Sequence, residues 1–529
     1  MKTNDRAQTT SAAPLRSAAP RRRARPHWLL PLALIVAAAA LLTLPAAFSG
    51  TRTNDSFWID WVWVDQFAHQ LGHGILYPRW LTQSHAGLGS PVFYYYPPLA
   101  FYLAAPFVWS GVSVYGAILG MFFIGYLLSG AAMYLWLKDQ APAPLLGSMI
   151  FLAAPYHSFN FYMRGAMAEF LAMAMIPLVM LGLRRMSERR AGGLPLASLG
   201  YAAMICTHLP LTLLASIFLF GPYCLLLGRR DALALGRLGG ALATGGALAA
   251  IYLVPALALA PYRDVASLWI LPTLRPSNWT LWHPAKADLN AMRDVLIIAA
   301  SLAIPLASLA LRNRSRWAMF GLLCIALAIG LVPAIWTLPI VKSVQFPFRL
   351  LPIAEFALAT AIATLPRREL SLPLALLPAA MTFFVLAAPP LPPAISMQEL
   401  RQNHPDVPEN LPPAQRPYTW PSRWALALAT THRQPVVVNG ITTEPVFYFP
   451  AWQVRCEGKL VATFPAPQTQ LLSHRGTGCT RTLGTTTPEW WGALISLATL
   501  IVLIAVCLVG WRLRRTALRP KGEPQEVTS

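Results

Sequence analysis

Apolar stretches of about twenty residues recur along the chain, each long enough to cross the roughly 30 Å hydrocarbon core of a bilayer as a helix. The links between them are short and rich in arginine: Lys138, then Arg184, Arg185, Arg189 and Arg190, then Arg229, Arg230 and Arg237, then Arg312, Arg314 and Arg316, then Arg367 and Arg368, and finally Arg512, Arg514 and Arg515. Basic links of this kind mark the cytoplasmic side of a membrane protein. Spans read between them fall at 28–48, 115–137, 145–155, 170–183, a pair turning near His208 and Pro210, 241–259, 295–311, 319–335, 350–365, 370–386 and 490–511. That pattern predicts an all-α polytopic membrane protein with about twelve transmembrane helices and both termini cytoplasmic. Leu99–Trp109 is too short to span and reads as an interfacial helix.

Composition agrees with the pattern. Of 529 residues 56% are hydrophobic and 12% charged, against about 25% charged in a soluble domain, and the mean hydropathy is +0.49. The net charge of +21 raises the question of nucleic acid, but the basic groups alternate with spans rather than lining one patch, which excludes it. The segment 28–48 also has the outline of a secretory signal with small residues at 45–49. Its apolar run is longer than the usual 7–15 residues, which favours a retained span.

The expected organisation is a basic tail at 1–27, a transmembrane module at 28–388 with a large external loop at 49–114, an external β-rich domain at 389–488, a last span at 489–511 and a basic tail at 512–529. The β-rich segment has short β-like runs at 435–438, 446–449, 453–456 and 460–464, with Asn439-Gly440 and Glu457-Gly458 as turn chemistry. Two of the six cysteines, Cys456 and Cys479, lie in it. On the oxidising side of a membrane they are expected to form a disulfide.

Candidate chemistry gathers in the first external loop, which reads DSFWIDWVWVDQFAHQLGHGILYPRW and then GLGSPVFYYYPPL. Amphipathic rings at this density belong at the lipid–water interface. Asp65, His69 and His73 are spaced to share one helix face. Such a face suits a divalent metal, or, as the stronger expectation, the wet side of an interfacial helix whose Trp63, Phe67 and Leu71 lie against lipid. Asp60 sits between Trp58 and Trp61, and an aromatic collar of this kind desolvates a carboxylate toward general-base use. Asp55 is the alternative base, and the loop also carries Arg79 and His85.

Further polar groups fall on the same side. The run YHSFNFYMRGAMAE places Arg164 and Glu169 near the outer end of a span, His208 tips a hairpin, and Gln345-Phe346-Pro347-Phe348-Arg349 precedes another span. Ionisable groups at membrane depth are costly and mark functional sites. An external arginine runs against the charge bias; snorkelling to headgroups is one account, and pairing with a buried lipid phosphate is the other.

The runs GILYPRW, GLGSPVFYYYPPLAFYL, YHSFNFYMRGAMAE and VQFPFR resemble the bacterial membrane proteins labelled 6-pyruvoyl-tetrahydropterin synthase-related, which in turn resemble the GT-C superfamily of membrane glycosyltransferases. The trailing YFPAWQVRCEGK is similar to the β-rich external modules of related proteins. The resemblance implies a bacterial inner-membrane enzyme with an acidic base in the first external loop, matched here by Asp60 or Asp55. It also implies a polyprenyl-phosphate-linked sugar donor, an acceptor that the sequence does not identify, and no required cofactor. Arg349, Arg164, Arg79, Glu169, His208 and Gln345 are the expected phosphate-binding and supporting residues. The other readings are a lipid or sugar transporter or flippase, expected to carry polar or helix-breaking residues near mid-span, and a non-catalytic envelope-biogenesis protein.

Overall fold

Helix Met167–Ser187 runs through the middle of the molecule, and the other helices are arranged around it. In a computed structural model, residues 28–50, 56–269, 271–283, 289–365, 371–387, 396–413 and 433–517 are described. Asp55, Arg367 and Arg368 lie outside the described residues. Among the described residues six helices are long and apolar enough to cross a membrane: Leu29–Ser49, Val114–Leu137, Met167–Ser187, Leu209–Gly228, Leu289–Asn313 and Thr487–Leu513. A seventh candidate is the pair Ala232–Leu248 and Ala250–Ala258, bent by 71° at its break. The protein is therefore mostly helical and multi-pass in character.

The expectation of about twelve spans exceeds this number because apolarity has two causes. The central helix is 94% buried within the protein, whereas the last is 11% buried. Every residue of Leu351–Ala363 is buried, and that helix has only 13 residues. Gly193–Ile205 and Arg316–Ala328 are likewise short, and the segment expected at 145–155 holds the nine-residue helix Pro144–Leu152. A helix apolar on all sides is one buried in protein or in lipid, and hydropathy does not separate the two.

Local chemistry sets several helix starts. Ser113 Oγ accepts from Gly116 N at 3.2 Å, Asp231 Oδ1 from Leu233 N and Ala234 N, and Ser315 Oγ from Ala318 N. Each satisfies a donor that the first helical turn leaves open.

Among the described residues the C-terminal β domain has seven strands: β1 Val436–Val438, β2 Ile441–Phe447, β3 Trp452–Cys456, β4 Lys459–Val461, β5 Thr463–Pro465, β6 Leu471–Arg475 and β7 Thr480–Leu483. They form two antiparallel sheets, ordered β1-β2-β6-β5 and β4-β3-β7. Asn439-Gly440 and Glu457-Gly458 turn β1 into β2 and β3 into β4, all four residues having positive φ. Two-residue hairpin loops require that conformation. A Cys456–Cys479 disulfide ties β3 to the approach of β7.

This domain rests on the first loop. Phe447 N donates to Leu88 O at 2.9 Å, and Trp80 packs edge-on to Trp452 at 5.2 Å. Gly89 (φ +78°) lets the loop pass Trp80, since a Cβ there would meet the indole Nε1 at 2.4 Å.

Candidate active site

The first loop folds as helix Phe57–Gly72, and it packs against protein rather than lipid. Trp63 and Phe67 are buried, with ring contacts to Tyr96 at 4.7 Å, Phe93 at 4.7 Å and Tyr102 at 4.9 Å. The interfacial-helix expectation is corrected on this point, because helix Leu99–Trp109 and the YYYPP run supply the apolar cover. The metal alternative gains no geometry either. Asp65 Oδ2 turns to His404 Nε2 at 3.6 Å, while His73 Nδ1 lies 2.8 Å from His69 O. These three side chains do not gather their ligand atoms into one group. The one Cys/His grouping among the described residues, Cys456, His474 and Cys479, has both sulfurs committed to the disulfide.

Asp60 lies in the first turn of the loop helix and is 2% exposed. Its Oδ2 accepts from Met167 N at 3.0 Å, at the start of the central helix. A carboxylate there is favoured by the positive end of the helix dipole. The approach depends on the π-helical turn Asn160–Arg164, which ends at Gly165 with φ +64°. A Cβ on Gly165 would meet Phe57 Cβ at 2.8 Å, and Ser56 N donates to Arg164 O at 2.9 Å. Glycine and π-turn together let the loop helix dock on the start of the central one.

One turn further in, Glu169 gathers the remaining groups. Its Oε2 accepts from Arg164 Nη1 and Arg349 Nε, each at 2.9 Å, and its Oε1 accepts from Tyr156 OH at 2.5 Å. His208 Nε2 lies 3.8 Å from Oε2. Leu211 N donates to His208 Nδ1 at 3.2 Å, which leaves Nε2 as the protonated nitrogen of a neutral ring. Burial, and then the Arg349 charge, hold the His208 pKa down to about 3, so the ring stays neutral at physiological pH.

Gln345 Oε1 accepts from Arg349 Nη1 at 3.2 Å, on a residue with φ +66°. Left-handed backbone at a non-glycine residue costs about 1–3 kcal/mol and persists where the surroundings hold it. Here Arg349 Nη1 also donates to Val344 O at 2.5 Å. Phe346 and Phe348 stack at 5.0 Å and cover both guanidiniums, with Arg349 4.8 Å from the Phe346 ring and Arg164 5.3 Å from the Phe348 ring.

The structure thus brings together Asp60, Arg164, Glu169, His208, Gln345 and Arg349, six of the expected residues. Arg79 lies elsewhere. Its Nε pairs with Glu489 Oε1 of the last helix at 3.0 Å and its Nη2 donates to Ile251 O at 2.8 Å, at the break in the bent pair. It locks the loop to those helices and is withdrawn from the expected phosphate-binding set.

Tyr156 was visible in the YHSFNFYMR run without being singled out. Tyr96, within the electrostatic reach of Asp60, Arg349 and Glu169, sat unnoticed in YYYPP. The pair His157 Nδ1 to Glu355 Oε2, 2.8 Å and fully buried, was not foreseen because its members lie far apart in sequence.

Two guanidiniums, Arg164 and Arg349, thus stand among two carboxylates, Asp60 and Glu169. Ion pairs this buried persist only when they are well hydrogen-bonded, as these are. The arrangement offers fixed guanidinium charge and a carboxylate seated at a helix start, a combination suited to an anionic group and a proton transfer.

No family model matches the chain and no curated protein matches it, so the resemblance to the pterin synthase-related proteins has no support from those comparisons. Two solved structures of the arabinofuranosyltransferase AftD from Mycobacteria, the second of a mutant, are similar to it at 18% and 19% identity, each with a TM-score of 0.44. They cover 67% and 70% of this chain and 26% and 28% of their own. The chain thus spans just over a quarter of their length.

Proposed function

We propose that the protein is a GT-C-type membrane glycosyltransferase that moves a sugar from a polyprenyl-phosphate donor to an acceptor hydroxyl on the external, periplasmic face. The observation that carries this reading is the meeting of Asp60 with the Arg164–Glu169–Arg349 network at the start of the central helix. Displacing a lipid phosphate from an anomeric carbon calls for a base at the acceptor and positive charge at the leaving group. The leaving group is already an anion, and no strong general acid is required.

In the proposed step, the acceptor oxygen bonds to the anomeric carbon and its proton passes to Asp60. The bond from that carbon to the phosphate oxygen breaks, and its electron pair stays on the lipid phosphate. Arg349, Arg164 and the dipole of the central helix stabilise that charge. A single displacement inverts the anomeric centre. Glu169 holds the two guanidiniums in place, and Asp55 is the alternative base. No cofactor is needed for this chemistry.

The transporter reading draws on one observation, the His157–Glu355 pair buried among the helices, since intramembrane ionisable pairs also serve proton-coupled transport. Glu355, however, also accepts from Tyr156 N at 2.5 Å, which spends the carboxylate on holding the turn that carries Tyr156 and Arg164. The deciding experiment reconstitutes the purified protein with a panel of polyprenyl-phosphate sugars and follows both transfer and transbilayer movement. Sugar transfer by the parent protein that is absent in Asp60→Asn supports the enzyme, while donor movement without transfer would overturn it.

A further inference from the structure

At the far end of the central helix, about 30 Å from Asp60 by the helical rise of its 21 residues, a cavity of about 670 Å³ opens between the last helix and its neighbours. Near its start the last helix is tied to the bent pair. Gly492 lies against Ala250, where a Cβ would meet the carbonyl oxygen at 2.5 Å, and Ser496 Oγ donates to Leu248 O at 2.8 Å. Toward its other end Val506, Cys507, Gly510 and Trp511 face the cavity across from Ala234, Arg237 and Leu238 of helix Ala232–Leu248. The gap is lined by apolar groups, Leu227, Leu238 and Trp511 among them, and by Arg189, Arg190 and Arg237.

Charge at the rim is unbalanced. Arg190 is occupied by Asp139 at 2.9 Å and Glu188 at 3.4 Å. Arg189 and Arg237 meet no carboxylate among the described residues, and both are exposed. The one acid lining the cavity, Asp231, has Oδ1 engaged in capping its own helix. The start of helix Gly193–Ile205 also borders the cavity without a side-chain cap, which adds positive potential. An apolar cleft between membrane helices with a cationic rim complements a molecule with apolar chains and an anionic head.

We propose that this cavity binds an anionic glycerophospholipid, its phosphate between Arg189 and Arg237 and its acyl chains along Leu238 and the last helix. A zwitterionic lipid offers the same chains without net charge, and inorganic phosphate offers the charge without chains. The inference stands independently of the proposed catalytic activity.

Native mass spectrometry of the full chain in detergent tests it, titrating phosphatidylglycerol and phosphatidylcholine of identical chains. The parent protein should retain one phosphatidylglycerol with roughly thirtyfold preference, the scale set by two arginines near an anionic headgroup. The double variant Arg189→Gln/Arg237→Gln should lose that preference, and the distant charge control Arg312→Gln should keep it. Ala234→Trp, filling the cavity, should reduce retention of both lipids, which keeps the test decisive should the double variant fold poorly. Equal retention of the two lipids by the parent overturns the proposal, as does a preference unchanged in the double variant or lost equally in Arg312→Gln. Displacement of the lipid by millimolar inorganic phosphate would show an anion site and not a lipid site, and would overturn it as well.

Discussion

Glu169 and Arg349 stand 180 residues apart in the chain and meet at 2.9 Å, carboxylate Oε2 to guanidinium Nε. Arg164 reaches the same oxygen from five residues away. One acid therefore fixes the direction of two cations, and the three elements they belong to are coupled through a single atom. If a phosphate binds here, it meets guanidiniums already oriented, which lowers the cost of ordering them on binding.

Replacing Glu169 by Gln should accordingly hurt both stability and activity. Two buried guanidiniums would lose their common counter-charge, and breaking a buried ion pair on one side typically costs about 3–5 kcal/mol. Thermal unfolding in detergent should show a marked drop. The double variant Glu169→Gln/Arg349→Gln should recover part of it, because it removes an uncompensated charge. Strictly additive losses would show that the two residues do not depend on each other.

The catalytic assignment makes a separate demand. Asp60→Asn keeps size and an oxygen for Met167 N while removing a base, so insertion should be unaffected and sugar transfer should fall about 10²–10⁴-fold. Arg349→Lys should weaken donor use, since an ammonium keeps the charge but loses the planar fork. Asp55→Asn is the companion measurement, since the resemblance allows either residue. Transfer unchanged in both aspartate variants, at matched protein level, would remove the enzymatic reading.

Some of this was legible in the sequence and some was not. Arg164, Glu169, His208 and Arg349 were marked out by being ionisable near span ends, a local property, and they do converge. Asn439-Gly440 and Glu457-Gly458 announced their hairpins because two-residue turns have strict backbone chemistry. That Glu169 would occupy both arginines was hidden, since pairing over 180 residues leaves no local trace. Arg79 was misread for the same reason: its partner Glu489 comes from the opposite end of the chain. Strands β6 and β7 escaped because LLSHR and TRTL are short and lack a clean alternation.

Asp406 carries a pH dependence. Its Oδ1 accepts from Trp63 Nε1 at 3.0 Å and from Val407 N at 2.7 Å, joining segment 396–413 to the loop helix. Burial pushes its pKa from 3.8 up to about 7. The docked segment thus holds a proton that the undocked one releases, so docking is strongest below about pH 4 and weakens as pH rises to about 7. The slope is roughly 1.4 kcal/mol per pH unit for one proton. Protection factors for hydrogen exchange across 396–413, corrected for the intrinsic pH dependence of amide exchange, should be higher at pH 5 than at pH 8, and Asp406→Asn should flatten the difference. His85, His404 and Asp65 stay in place in that variant, so an undiminished slope would assign the effect to them.

Orientation in the membrane is the last expectation to test, and the structure changes how. Asp60 and His208 are buried, so cysteines placed there would resist labelling whichever side they face. Leu76 in the first loop is 80% exposed, and Arg189 and Arg314 are exposed in basic links. With the basic links held in the cytoplasm by the charge bias, a cysteine at position 76 should react with an impermeant maleimide added to intact cells, and cysteines at 189 and 314 should react only after the membrane is opened. Labelling of all three from outside would break the assignment of the basic links to the cytoplasm, and labelling of 189 and 314 alone would invert the scheme. In the inverted case the Asp60 cluster would face the cytoplasm, where the proposed external transfer cannot occur.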